Sequence, residues 1–235
     1  MFKIKIEMNA EDKIKEICLE QNGENLAAIL IFGSYGIKTY AAGVSDIDAI
    51  ILLKEKGTLD FEKEQKNLRE KLAEINLSIH HFTDIESYKN HIYQGASWSS
   101  WITVLKSPKQ IYTTQEFEDF KKYLASHELD KEKLKEYILQ KDKFELEGYF
   151  KQRTGWELTK GIFSHLRRKL QILNYYSGND LDFDYDKCLA NLKLKNKRSL
   201  QKIGQFYCER LNLSTSEIPV YYEIAKSLTK KIMKI

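Results

Sequence analysis

The chain has 235 residues, enough for one large domain or two small ones. Hydrophobic residues make up 42% and charged residues 31%, the balance of a chain that buries a core, which excludes the disordered and fibrous classes. The formal net charge of +4 suits an anionic partner such as a nucleotide, yet falls short of the dense basic signature of a dedicated nucleic-acid binder.

The sequence shows neither a basic-then-apolar leader nor an apolar run of about 18 residues, so neither secretion nor a membrane partner is expected. Cys18, Cys188 and Cys208 are odd in number, widely spaced and lack a C-x-x-C pair. They read as reduced, buried thiols, and the expected compartment is the cytoplasm.

In chain order, "AEDKIKEICLEQ" places Ile14, Ile17 and Cys18 at helical spacing, with Asn9 as cap and Gly23 as stop. "LAAILIFG" is a short apolar run ending in glycine and predicts a buried strand; "DIDAIILL" predicts a second. "FEKEQKNLREKLAEI" carries Phe61, Leu68, Leu72 and Ile75 on one helical stripe. "NLSIHHF" predicts a third strand and "DIESYKNHIYQ" a short helix. "WITVLKSPKQIYTT" admits either a further strand or a helix running into an edge strand, and "QEFEDFKKYL" is a helix. From Ser126 on, strand signals give way to amphipathic patterns over 131–153, 156–176, 186–192, 199–211 and 216–233. The expected fold class is α+β: a mixed-sheet domain over 1–125 and an all-helical bundle over 126–235.

The chemistry concentrates in "GSYGIKTYAAGVSDIDAIIL". Side chains of a strand alternate faces, so Asp46 and Asp48 point the same way, about 7 Å apart along the chain. Two like charges so placed repel. A divalent cation removes that cost, and Mg²⁺ takes carboxylate oxygens while keeping substrate phosphates as further ligands. Gly33 and Ser34 end the preceding strand, where a glycine lets the backbone approach a phosphate. The residues from Ser34 to Tyr40 are placed to open a helix with free N–H groups facing the same anion. The stretch thus reads as a phosphate cradle beside a metal clamp. Exposed turn carboxylates are the plainer alternative.

Gly33-Ser34, an interval of eleven residues, then Asp46-Ile47-Asp48 in front of an apolar strand, resembles the signature of the nucleotidyltransferase superfamily that includes polymerase β. The chain length, the helical second half, "ELEGYFKQRTG" and "FDYDKCLANL" resemble the kanamycin and related antibiotic nucleotidyltransferases. The resemblance implies transfer of a nucleoside monophosphate from an NTP, with ATP the leading candidate, to an acceptor hydroxyl. Asp46 and Asp48 would hold Mg²⁺ (or Mn²⁺), and Gly33 and Ser34 would grip phosphates. It implies Glu147 as general base, with Lys151 and Arg153 as nucleotide contacts in a cleft between the domains. Glu145 competes with Glu147, and Glu147 with Lys151 also reads as an ordinary i, i+4 surface pair.

The sequence departs from the superfamily at its third carboxylate, whose place falls on Ser78, with His80 on the same face as an alternative base or ligand. A small-molecule, antibiotic-type acceptor is expected first. An RNA or protein acceptor in a toxin or defence system, or a nucleotide-binding module that has lost catalysis, are the alternatives. A second copy of the chain stays among the candidate partners. The basic runs "SHLRRKL" and "KLKNKRSLQK" read as solvated helix faces or as polyanion contacts. Trp98, Trp101 and Trp156 read as core or as pocket lining.

Overall fold

A computed structural model of the chain describes residues 9–33, 46–107 and 109–235. Ser34 and the interval up to Ser45 lie outside the described residues, and with them the helix expected from Ser34 to Tyr40.

The first helix forms where its caps and charges agree. In α1 (Ala10–Asn22) the Asn9 side chain accepts a hydrogen bond from the Asp12 amide at 2.9 Å, and Glu11 and Asp12 face the positive end of the helix dipole. Gly23, at φ 53°, ends it. Strand β1 (Leu26–Phe32) is followed by β2 (Ile47–Leu53), α2 (Phe61–Lys71), β3 (Leu77–Asp84) and α3 (Ile85–Gln94). Then come α4 (Trp98–Lys106), β4 (Lys109–Thr113) and α5 (Gln115–Ser126). The open reading of "WITVLKSPKQIYTT" therefore resolves as a helix running into an edge strand.

The four strands form one mixed sheet in the order β3-β2-β1-β4. β1 pairs antiparallel with both β2 and β4, and β2 pairs parallel with β3 across the helix α2. The central strands are apolar on both faces because both are covered. Ile29, Ile31, Ala49 and Ile51 pack in one core with Ile14 and Cys18 of α1 and with Leu68 of α2. On the other face Ala28, Leu30 and Leu52 are fully buried, and α5 packs against β1 there.

The second half is helical: α6 (Lys131–Glu147), a 3₁₀ turn (Tyr149–Gln152), α7 (Gly155–Tyr176), α8 (Tyr185–Asn191), α9 (Lys197–Cys208) and α10 (Ile218–Ile232). The α7 helix is the centre, with α8, α9 and α10 packed on it through a stripe that includes Leu158, Ile162, Leu166, Leu170 and Leu173. The chain divides into two compact units: Met1–His91 with Thr103–Glu128, and Ile92–Ile102 with Leu129–Ile235. In the second unit Trp98 and Trp101 are buried, with Tyr175 at ring-centroid distances of 5.7 and 5.5 Å.

Among the described residues no helix is long and apolar enough to cross a membrane. All three cysteines are free; Cys18 and Cys188 are buried, and burial pushes both thiols up to about 12. Cys208 departs from the expectation of three buried thiols. It is exposed, as the last residue of α9.

Candidate active site

Strand β1 ends at Phe32, which sits opposite Asp48 in the antiparallel register, and Gly33 follows with φ +65°. Only a residue without a side chain is comfortable there, for two reasons. The conformation is left-handed, and a Cβ on Gly33 would lie 1.9 Å from Asp48 Oδ2. The Gly33 backbone and the Asp48 carboxylate are therefore packed against each other.

Asp48 shares a strand face with Ile50 and Leu52, and its carboxylate is about one-fifth exposed. Asp46 is half-buried and immediately precedes β2, whose ladder begins where the Ile47 amide donates to the Asn76 carbonyl at 2.8 Å. On the other side, the parallel register puts Ser78 directly beside Asp48. The register then slips between Ala49 and Ile50, which face Ile79 and His81, so His80 is the extra residue of a bulge. Its ring lies 5.1 Å from that of Phe32, and its Nε2 is 2.7 Å from Asp48 Oδ1. Spacing alone put His80 on the face of Ser78. The bulge, for which the sequence carries no signal, brings it onto Asp48.

The donor set suits a hard divalent cation. Asp46 and Asp48 offer carboxylate oxygens, and Asp48 Oδ2 packs against the Gly33 backbone. Among the described residues no group of three or more His, Cys, Asp or Glu side chains is arranged to hold a metal.

The residues singled out in the second unit lie in one short segment. Glu147 is the last residue of α6 and is exposed. Gly148 then breaks the helix, so the i, i+4 geometry does not continue to Lys151, and no ion pair joins the two among the described residues. Lys151 and Arg153 are exposed, and the Arg153 guanidinium lies 4.5 Å from the Tyr149 ring centroid. Glu145, by contrast, turns inward. It pairs with the buried His165 and, at 3.4 Å, with Arg168. Burial alone would raise its carboxyl, but His165 and Arg168 outweigh that and hold it below its usual range. A carboxylate so stabilised is a weak proton acceptor, so Glu145 reads as a packing ion rather than as a base.

The same network holds Lys169, which is 1% exposed and bonds to Asp142 and Thr229. Asp142 also sits 2.9 Å from His165 Nε2, at ion-pair distance without hydrogen-bond alignment. These pairings tie α7 to α6 and α10. The "SHLRRKL" run is thus in part a buried ionic seam rather than a wholly solvated face. Trp156 stacks on Tyr207 with centroids 5.6 Å apart.

The sheet thus carries a glycine edge packed on the second carboxylate of Asp46-Ile47-Asp48. Residues 11–98 match the family model of the nucleotidyltransferase domain. A crystal structure of spectinomycin adenyltransferase AAD(9) from Enterococcus faecialis, with ATP and spectinomycin, is similar with a TM-score of 0.58 and 14% identity. The match covers 94% of this chain and 98% of that one, so the α+β fold with a helical second half is shared across the full length. A toxin–antitoxin structure with AMP-PNP is 28% identical over 49% of this chain and 84% of that one, with a TM-score of 0.36, too low to argue from. No curated protein matches the chain. The chain thus matches the nucleotidyltransferase domain over residues 11–98 and resembles spectinomycin adenyltransferase in fold.

Proposed function

We propose that the protein transfers a nucleoside monophosphate, from ATP in the first place, to a hydroxyl of a small-molecule acceptor of the antibiotic type. The observation that carries this reading is the contact between Gly33 and Asp48 in a nucleotidyltransferase domain. It puts a backbone edge without a side chain against a carboxylate, as a triphosphate and its cation require. The adenyltransferase of like fold holds ATP and spectinomycin, which supports ATP and a small acceptor here.

Asp46 and Asp48 would hold the divalent cation. That cation, when bound, neutralises charge on the triphosphate. Gly33 and Ser34 bind phosphate oxygens through the backbone, and Lys151 and Arg153 add cationic contacts. Glu147 accepts the proton of the acceptor hydroxyl as its oxygen attacks the α-phosphorus; the new P–O bond forms, and pyrophosphate leaves with the electrons of the broken one. His80 orients Asp48 through its hydrogen bond.

The test is pyrophosphate release from labelled NTPs across panels of antibiotics, tRNA and protein acceptors, with Mg²⁺ and with Mn²⁺. Asp46→Asn and Asp48→Asn are each expected to abolish release while the circular-dichroism melt stays cooperative. Glu147→Gln is expected to cost about 10²–10⁴-fold in rate. Full activity in either aspartate variant removes the clamp, and a full-rate Glu147→Gln enzyme removes the base. Serine at position 78, beside Asp48, favours a second reading, a nucleotide-binding module without transfer. ATP binding with no release against any acceptor selects it.

A further inference from the structure

The segment between α6 and α7 carries a feature that the proposed reaction leaves unused. Phe144 is 63% exposed and Tyr149 is 37% exposed, unusual for large aromatic residues. Their ring centroids are 6.1 Å apart with planes only 19° from parallel. Arg153 covers one face of Tyr149, which leaves Phe144 as the open aromatic surface. Around them is an open concavity of about 480 Å³ lined by Gln140, Lys143, Phe144, Gly148, Tyr149 and Gln152.

The platform is held in place from below. Phe150, only 2% exposed, pins the turn: its ring meets His165 edge-on and lies where a Cβ on Gly161 would come within 2.7 Å. At Gly148 a Cβ would lie 2.9 Å from the Phe144 carbonyl, so the chain bends sharply there without a side chain in the way. Burying Phe150 directs Tyr149 outward beside Phe144. The rings are thus preorganised, which lowers the entropy cost of binding.

The chemistry around the rings selects an occupant. Two exposed amides, Gln140 and Gln152, offer paired donors and acceptors of the kind that match a base edge. Lys143, exposed and outside every ion pair described, offers a charge for a phosphate. An apolar protein helix would use neither the amides nor the cation. An unpaired nucleotide uses all three features, since a base stacks on an aromatic face and its backbone phosphate meets a lysine.

We propose that Phe144, backed by Tyr149, is a stacking platform for an unpaired nucleotide of an RNA strand, with Lys143 on the adjacent phosphate. The platform adjoins Glu147, Lys151 and Arg153 of the transfer proposed above, in which Gln140, Lys143, Phe144 and Tyr149 themselves have no part.

The experiment is fluorescence anisotropy of a labelled oligoadenylate RNA with the full chain, across a salt series. Phe144→Ala is expected to weaken binding about 5- to 150-fold, the loss of one stacked base. Lys143→Ala is expected to lower the salt slope by about 0.7. Asp48→Asn is expected to bind the strand like wild type, which separates this site from the carboxylates. Phe144 is mostly solvent-exposed, so the variant's thermal melt should match wild type, and Tyr149→Ala provides an independent second variant. Wild-type affinity in both aromatic variants overturns the proposal, as does an Asp48→Asn loss equal to that of Phe144→Ala. Self-association that Phe144→Ala abolishes, without RNA binding in wild type, overturns it in favour of a protein partner.

Discussion

At the scale of single residues, Gly33 is the position where a small change has the sharpest consequence. Its φ of +65° penalises any side chain, and the Asp48 oxygen stands where a Cβ would be. Gly33→Ala must push the carboxylate aside or shift the end of β1. The expected result is a loss of nucleotide affinity of at least tenfold by isothermal titration with a non-hydrolysable ATP analogue. The accompanying drop in melting temperature is expected to be modest, since the strain is local, of order 1–3 kcal/mol. Unchanged affinity counts against the phosphate cradle. The glycine and both aspartates stand out in the sequence as candidates, because a D-x-D pair at the head of an apolar strand has few structural uses. Their contact was not, because it depends on where β1 ends relative to β2.

At the scale of elements, the parallel pairing of β2 with β3 puts Ser78 beside Asp48. Ser78→Asp would set two carboxylates on neighbouring strands. Without metal the melting temperature should fall, as like charges facing across strands repel. With saturating Mg²⁺ it should rise by more than wild type gains, because the added oxygen stabilises the bound state. Equal Mg²⁺ shifts in the two proteins remove position 78 from the metal's surroundings.

The bulge that exposes His80 also turns His81 inward, against Tyr88 and His91 of α3, at centroid distances of 4.9 and 4.7 Å. Burial, and then the neighbouring His91 and His80, push the His81 imidazole down to about 4. Its folded pKa lies below the ordinary value of 6.5, so the unfolded chain binds the proton more readily. The sign follows: His81's contribution is fully present above about pH 6.5 and is lost as pH falls toward 4. Melting temperatures from pH 7.5 to 4.5 should fall more steeply for wild type than for His81→Gln. Parallel curves eliminate the histidine as the cause.

At the scale of the whole molecule, the grouping of Ile92–Ile102 with the helices from Leu129 onward makes a test of autonomy. A fragment of residues 126–235 lacks Trp98 and Trp101, which are 0% and 2% exposed and pack on Tyr175. Losing two buried indoles from one core exceeds the cost of a single large-to-small change, about 3–5 kcal/mol for one tryptophan. The fragment is expected to unfold without a cooperative urea transition, and the full chain to show one. A cooperative transition in the fragment shows that its helices suffice.

The sequence by itself determined the class of most described elements, leaving 101–114 open, and singled out the opening carboxylates as candidates. Both are local: capping at Asn9, helical spacing on α7 and alternation along β2 act between residues a few positions apart. Glu145 and Glu147 show the limit. Two residues apart on one helix, they carry the same charge and the same propensity. Only the packing of α7 against α6 turns Glu145 onto His165 and Arg168 and leaves Glu147 exposed at the helix end. The bulge at His80 and the burial of Trp98 and Trp101 were likewise decided by the tertiary structure. Register and the partner of a buried face depend on contacts between segments far apart in the chain, and the periodicity of one segment holds no information about the other.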